Sequence, residues 1–433
     1  MKHCLFYLIF CFGLSGCVNR DTSKQERDVY IQKKAGKYTL IRNGKPFFIK
    51  GAAGFSKLEV LKENGGNAIR TWDTTNISSI LDQANENGLA VVVGLPLLVS
   101  RNNEFFYNDT VRKNNQIKDF ELLIKKYRNH PALLMWCVGN ELDFDNTPYF
   151  NNLFSHFNRI VDMVHKEDPN HPVTTTVANF NRKIIISLQL KCNVDVISFN
   201  IFSKIETLRT DLNKFSLIWK GPFMITEWAA DGPWEGFDTT IWGAHIEATS
   251  TKKAEVYLKR YQRYMPLDSK RFLGSFVFYW GFKQETTSTW FSMFDVNGNK
   301  SEAVDVMGYL WKKKRPEHKA PQINYMLVDK LGAKDNVIYT ANDRGSAEIK
   351  LFEENENIVD IKWEILQEDW FKKGISSNTT FIKAEKGLII SASGLKVTFR
   401  APGREGPYRI FATVYDKFGN YSTCNTPFYV MGK

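Results

Sequence analysis

Ala132-Leu133-Leu134-Met135-Trp136-Cys137-Val138-Gly139-Asn140-Glu141 is a run of apolar residues that stops at a carboxylate. Phe223-Met224-Ile225-Thr226-Glu227-Trp228 repeats the pattern further along. Such runs, without polar alternation, mark strands buried on both faces. In a closed barrel of parallel strands all the C-terminal strand ends meet on one face. Glu141 and Glu227 are therefore expected together on that face. Glycosidic cleavage with retention needs two carboxyl groups about 5–5.5 Å apart, one as nucleophile and one as acid and then base. One Glu at a strand end is commonly a loop-anchoring ion pair. Two of them, one preceded by Asn, favour chemistry.

Outward from these two strands, short apolar runs alternate with amphipathic stretches from about Phe47 to Trp311, the pattern of a β/α fold. The remaining strands are expected at Phe47–Gly54, Asn67–Trp72, Leu89–Leu97, Val173–Ala178, Val194–Phe202 and Leu273–Phe282, the sixth reached by a short connection. Helices are expected at Leu58–Asn64, Ile77–Asn87, Arg112–Arg128, Pro148–Glu167, Thr251–Met265 and Glu302–Trp311. Eight strands over this length fit a (β/α)8 TIM barrel of about 250 residues. The Gly-rich phosphate loop of a doubly wound sheet has no counterpart here. The predicted class is α/β, with the barrel at residues 37–315. Pro316 and Pro321 bracket a polar linker. Residues 322–433 then hold seven short β-rich segments between turn signals, which predicts a small all-β immunoglobulin-like sandwich.

The first residues read as an address rather than as fold. Met1-Lys2-His3, the apolar Leu5–Phe12 and Leu14-Ser15-Gly16-Cys17 make a signal peptide over 1–16, too short to span a membrane as a helix. The last four residues resemble a bacterial lipoprotein signal, which implies lipidation at Cys17, a polar tether over 17–36 and a place in the bacterial cell envelope. Cys137, Cys192 and Cys424 have no metal-type or paired spacing and read as small buried hydrophobes. The net charge of +11 is scattered, and its densest run, Lys312–Arg315, follows a predicted helix whose C-terminus favours cations. Nucleic acid is therefore not expected as a partner.

Three motifs in barrel order carry a family resemblance. Gly139-Asn140-Glu141 resembles the Asn-Glu signature of clan A glycoside hydrolases, Thr226-Glu227-Trp228 resembles their nucleophile segment, and Ala68-Ile69-Arg70-Thr71-Trp72 resembles their second-strand arginine. The layout of barrel and sandwich also resembles glycoside hydrolase family 158, endo-β-1,3-glucanases. The resemblance implies Glu227 as nucleophile and Glu141 as acid/base, with Arg70 beside Glu227 lowering its pKa. Asn140 would donate to a sugar hydroxyl, Trp280 would be the sugar platform, and Trp72, Asn200 and Trp234 would line the substrate. Trp242 and Trp290 are further candidates for outer subsites, with Asp231, Glu235 and Glu285 as candidate partners for hydroxyls.

No metal or organic cofactor is required by this chemistry. The implied activity is retaining hydrolysis of a β-linked polysaccharide or oligosaccharide, in first place β-1,3-glucan, by a monomer that meets the membrane only through its lipid. Transfer to a second sugar, and silent glycan binding, are the alternatives. One position departs from the clan. Many members end the sixth strand with a Tyr or His that bonds the nucleophile, and Phe202 stands there instead. A phenyl ring cannot donate, so Asn200 or a loop residue is expected to substitute.

Overall fold

A computed structural model describes residues 28–99, 103–145, 147–236, 238–369 and 381–432. The signal peptide, most of the tether and Cys17 lie outside the described residues. None of the described helices is long and apolar enough to cross a membrane.

Eight strands close into a parallel barrel: β1 (Ile49–Ala53), β2 (Ala68–Arg70), β3 (Ala90–Leu95), β4 (Leu133–Asn140), β5 (Val173–Ala178), β6 (Val196–Asn200), β7 (Phe223–Trp228) and β8 (Phe272–Phe278). Each pairs with its sequence neighbours, and β8 returns to β1. β3 and β8 are buried at every position, as expected for strands with an interior on one side and helices on the other. The interior is not wholly apolar. Thr174 and Ser198 hydroxyls lie 2.6 Å apart, and Thr176 and Thr226 hydroxyls 3.3 Å apart, hydrogen-bonded pairs inside the barrel.

Helices follow the strands around the outside: α1 (Leu58–Glu63), α2 (Ile77–Glu86), α3 (Glu104–Asn108), α4 (Thr110–Tyr127), α5 (Asn151–Glu167), α6 (Arg182–Lys191), α7 (Ile205–Lys214), α8 (Ser250–Lys259) and α9 (Glu302–Lys312). α5 shows why they dock: Leu153, Phe154, Phe157, Ile160, Val161 and Val164 are buried, a stripe at helical spacing. α6 and α7 occupy connections in which the sequence showed no helix. α6 begins Arg-Lys-Ile-Ile-Ile, a β-branched cluster that favours strand by propensity, and the Asn181 side chain capping the Lys183 and Ile184 amides decides for helix.

Val29–Lys34, expected to be tether, is instead a strand paired with Lys37–Arg42. This hairpin covers the N-terminal end of the barrel. Val29 N–H donates to the Asn170 carbonyl at 3.2 Å and Tyr38 N–H to that of Lys270 at 2.7 Å, just ahead of β5 and β8.

Among the described residues the second β-rich region has eight strands rather than seven: β9 (Ile323–Val328), β10 (Ile338–Thr340), β11 (Arg344–Leu351), β12 (Ile358–Gln367), β13 (Ile389–Ser393), β14 (Lys396–Arg400), β15 (Gly406–Asp416) and β16 (Tyr421–Met431). They form two four-stranded sheets, β9-β11-β14-β13 and β10-β16-β15-β12, around one apolar core that includes Ile349, Phe399, Ile410 and Phe428. The expected immunoglobulin-like sandwich is thereby narrowed to two additional sheets that share a core. β9 escaped the sequence reading because Asn324 and Tyr325 interrupt the polar–apolar alternation.

Barrel closure imposes one backbone demand. Gly274 of β8 pairs with Ile49 of β1 at φ +125, and a Cβ there would lie 2.2 Å from the Ile49 carbonyl oxygen. Gly274→Ala is expected to destabilise the barrel by about 2–4 kcal/mol, read as a lower urea midpoint. An unchanged midpoint would show that β8 can move away from β1 without loss.

Candidate active site

Both glutamates emerge from breaks in strand register. β4 and β5 slip between Cys137 and Asn140, and β6 and β7 between Ile225 and Glu227. An extra residue in a ladder re-aims the side chains that follow it. Gly139 takes φ +71 at the first break, and Glu141 itself sits at φ +54, a region that residues with a Cβ seldom occupy. Such strain persists only where the surroundings impose it. Here the Glu141 N–H is held by the Thr176 carbonyl at 3.0 Å.

Arg70, wholly buried at the end of β2, organises the floor. Its Nη1 donates to Glu227 Oε1 at 2.9 Å, to Asn200 Oδ1 at 3.2 Å and to the Thr226 carbonyl at 3.2 Å. Its Nη2 donates to Asn140 Oδ1 at 3.0 Å. Asn200, at the end of β6, donates through Nδ2 to Glu141 Oε1 at 2.6 Å and to Asn140 Oδ1 at 3.2 Å. An unbroken hydrogen-bonded path thus runs Glu227–Arg70–Asn200–Glu141. Because Asn140 uses its oxygen on Arg70 and Asn200, any bond it makes to a sugar hydroxyl comes from its N–H2 group.

The departure at Phe202 finds its counterpart across the barrel. Phe202 packs edge-on against Trp234 at 5.2 Å and against Phe278 at 5.7 Å, with no bond to either glutamate. The second donor to Glu227 is Trp72, whose Nε1–H reaches Oε1 at 2.7 Å. Asn200 serves Glu141 instead. Burial pushes the Glu227 carboxyl up to about 7, against the pull of Arg70; Glu141 adds to the rise, and the Trp72 bond and the Lys283 ammonium oppose it. Arg70 lowers the Glu227 pKa, as expected, but the net shift is upward, because desolvation outweighs the guanidinium.

Several expected substrate contacts are placed elsewhere. Trp280 is 0% exposed, packed against Phe294 and Trp311, and cannot be a sugar platform. β8 ends at Phe278, short of the expected boundary, and Tyr279 and Trp280 belong to the loop that follows it. Tyr279 stacks on Trp72 with centroids 5.8 Å apart, and these two half-buried rings form the wall next to Glu227. Trp234 remains 44% exposed and suits a flanking contact. Trp290 is buried with its Nε1–H on the Asp231 carbonyl. Trp242 packs against Tyr429 of β16. Asp231 pairs with Arg260, Glu235 caps Gly232 and Ser203, and Glu285 pairs with Lys283 at 2.5 Å.

Tyr279 and Lys283 were missed in the sequence. Adjacency to Trp280 was the available signal for Tyr279, but a one-residue register choice separates wall from core. Cys137 and Cys424 are buried and Cys192 half-buried, all three as free thiols.

Known proteins resemble this chain at the level of family. The sequence profile of glycosyl hydrolases family 2, TIM barrel domain, matches residues 41–262, a span that includes β1 to β7 and both glutamates. The β-glucuronidase of Felis catus is 27% identical over 189 residues, 38% of this chain and 26% of that protein. That of Homo sapiens is 25% identical over 161 residues, 34% and 24% of the two chains. The chain thus spans about a quarter of the length of these relatives. Among solved structures, Bifidobacterium dentium β-glucuronidase complexed with coumarin-3-O-glucuronide superposes with TM-score 0.52 at 17% identity, over 66% of this chain and 49% of that one. The family 2 β-galacturonidase of Eisenbergiella tayi, bound to galacturonate, gives TM-score 0.52 at 20% identity over 66% and 54%. At such identities the structures speak for the fold. The likeness to family 158 is superseded by the profile match, which extends over half of the sequence: this chain belongs to the glycosyl hydrolases of family 2 through its TIM barrel domain.

Proposed function

We propose that the chain hydrolyses a β-glycosidic bond with retention, Glu227 acting as nucleophile and Glu141 as acid and then base. The carrying observation is the division of labour on Glu227. Arg70 and Trp72 both occupy Oε1, which leaves Oε2 to attack the anomeric carbon. As that bond forms, the bond to the leaving oxygen breaks and Glu141 gives that oxygen its proton. Glu141 is exposed, so water can then approach it, lose a proton to it and displace Glu227 as a carboxylate. Asn200 links the two glutamates through both half-cycles.

The substrate class we favour is a β-linked glycuronide. Support comes from the β-glucuronidases among the relatives, and from Lys283, whose cation acts on Glu227 and would have to share its pair with Glu285 to meet a sugar carboxylate. The β-1,3-glucan expectation rested on the family 158 likeness and loses that support. Anchoring at Cys17 belongs to the same reading and rests on Leu14–Cys17 alone. Palmitate should label the protein in cells and fail to label Cys17→Ser; equal labelling of both would sink the anchor.

The activity test is release of p-nitrophenol from β-glucuronide, β-galacturonide, β-glucoside and β-galactoside, with laminarin alongside. Uronide turnover is expected, reduced at least about 10³-fold in Glu227→Ala. Turnover confined to neutral glycosides or laminarin would keep the two glutamates and refute the uronide. Tight glycan binding without turnover would replace hydrolysis by silent binding.

The pKa of Glu227 adds a second expectation. Attack needs the ionised carboxylate, so kcat/KM should fall about tenfold per pH unit below about 7. Trp72→Phe keeps the wall and removes a donor to the charged form, a loss of about 1.5–3 kcal/mol. The acid limb should then move up by about one to two pH units. A limb that stays in place would show that Trp72 is wall alone.

A further inference from the structure

Glu247 lies late in the long loop after β7, and its side chain is 1% exposed. Four donors converge on its carboxylate. Oε1 accepts from Lys253 Nζ of α8 at 2.6 Å and from Thr289 Oγ1 at 2.7 Å. Oε2 accepts from Thr287 Oγ1 at 2.7 Å and from Asn425 Nδ2 at 2.8 Å. Thr287 and Thr289 belong to the loop after β8, and Asn425 to β16 of the second β-rich region. One carboxylate therefore ties together the two loops that follow the nucleophile strand and its neighbour, and fastens both to the added sheets.

The fastening continues on either side. Arg409 of β15 donates to Asn425 Oδ1 at 2.7 Å and to the His245 carbonyl at 2.6 Å. Lys253 Nζ also donates to the Thr289 carbonyl at 2.7 Å and that of Trp290 at 3.2 Å. Trp290 Nε1–H holds the Asp231 carbonyl at 2.9 Å, four residues beyond Glu227. The adjoining Phe291 packs on Trp234 at 5.6 Å and on Phe278 at 5.1 Å. A continuous chain of directional contacts thus leads from Asn425 to the rim of the candidate site.

A buried, charged hub is a poor way merely to hold two surfaces together, because apolar groups of similar volume would do so as well or better. Four charge-assisted bonds do something apolar contact cannot: they admit one arrangement of donors and so one register of the loops. We propose that Glu247 is a positioning residue, and that the added sheets, through Asn425 and Arg409, are a working part of the substrate-binding face.

Two variants test this from opposite ends of the hub. Asn425→Leu removes the donor from the sheets; Thr287→Val with Thr289→Val removes the hydroxyls from the β8 loop at constant shape. Amide hydrogen exchange of the full chain should quicken about tenfold or more at residues 229–236 and 283–292 in both variants, with β3 and β5 unchanged. This arm holds whether or not the chain is a glycosidase. The kinetic arm rests on the reading above and expects KM to rise about tenfold with kcat within about threefold. Faster exchange confined to 406–431 in Asn425→Leu, wild-type exchange in the threonine variant, or kcat and KM losses that only track the unfolded fraction would each overturn the proposal.

Discussion

Arg70 carries a full charge in a place from which water is excluded. A lone guanidinium there would be costly, and the cost is offset by directing its two terminal nitrogens at Glu227, Asn200, Asn140 and the Thr226 carbonyl. Those acceptors stand at the ends of β4, β6 and β7, so one cation sets the relative positions of three strand ends. The register breaks at Asn140 and Glu227 bring the acceptors within its reach. Glu227 in turn keeps its place because Trp72, two residues beyond Arg70, holds the same oxygen.

This arrangement explains how Phe202 is accommodated. The aromatic cluster of Phe202, Phe278, Phe291 and Trp234 is apolar, and a hydroxyl within it would have to find a partner. The donor has instead been placed on the opposite wall, on an indole that can give a hydrogen bond but cannot accept one. Burial raises the Glu227 pKa while its two donors lower it. The carboxylate is therefore poised near neutrality by opposing effects rather than held ionised by Arg70 alone.

The added sheets contact the barrel through polar side chains as well as apolar ones. Tyr421 O–H donates to the Ser292 carbonyl at 3.1 Å, and the Thr423 N–H donates to Ser250 Oγ at 2.9 Å. These contacts fall on the β8 loop and the start of α8, on either side of the Glu247 hub. In TIM barrels the strand ends hold the reacting groups and the loops shape what can reach them.

Periodicity and motif in the chain alone were enough for the barrel, its strand order and the pair Glu141 and Glu227, because continuous apolar runs and terminal carboxylates are local signals. Arg70, Asn140, Asn200 and Trp72 were legible as candidate site residues, and the structure brings them together, yet their pairings were not legible, since each bond joins positions far apart in sequence. Trp280 and Tyr279 show where local reading fails: adjacent residues just past β8 pack against different partners, and only the packed barrel decides which is core. The role of Glu247 was invisible, for a lone Glu in a loop has no pattern. Its four donors, contributed by α8, the β8 loop and β16, meet only when the barrel and the sheets are folded together, and a buried charge takes its meaning from the groups that surround it.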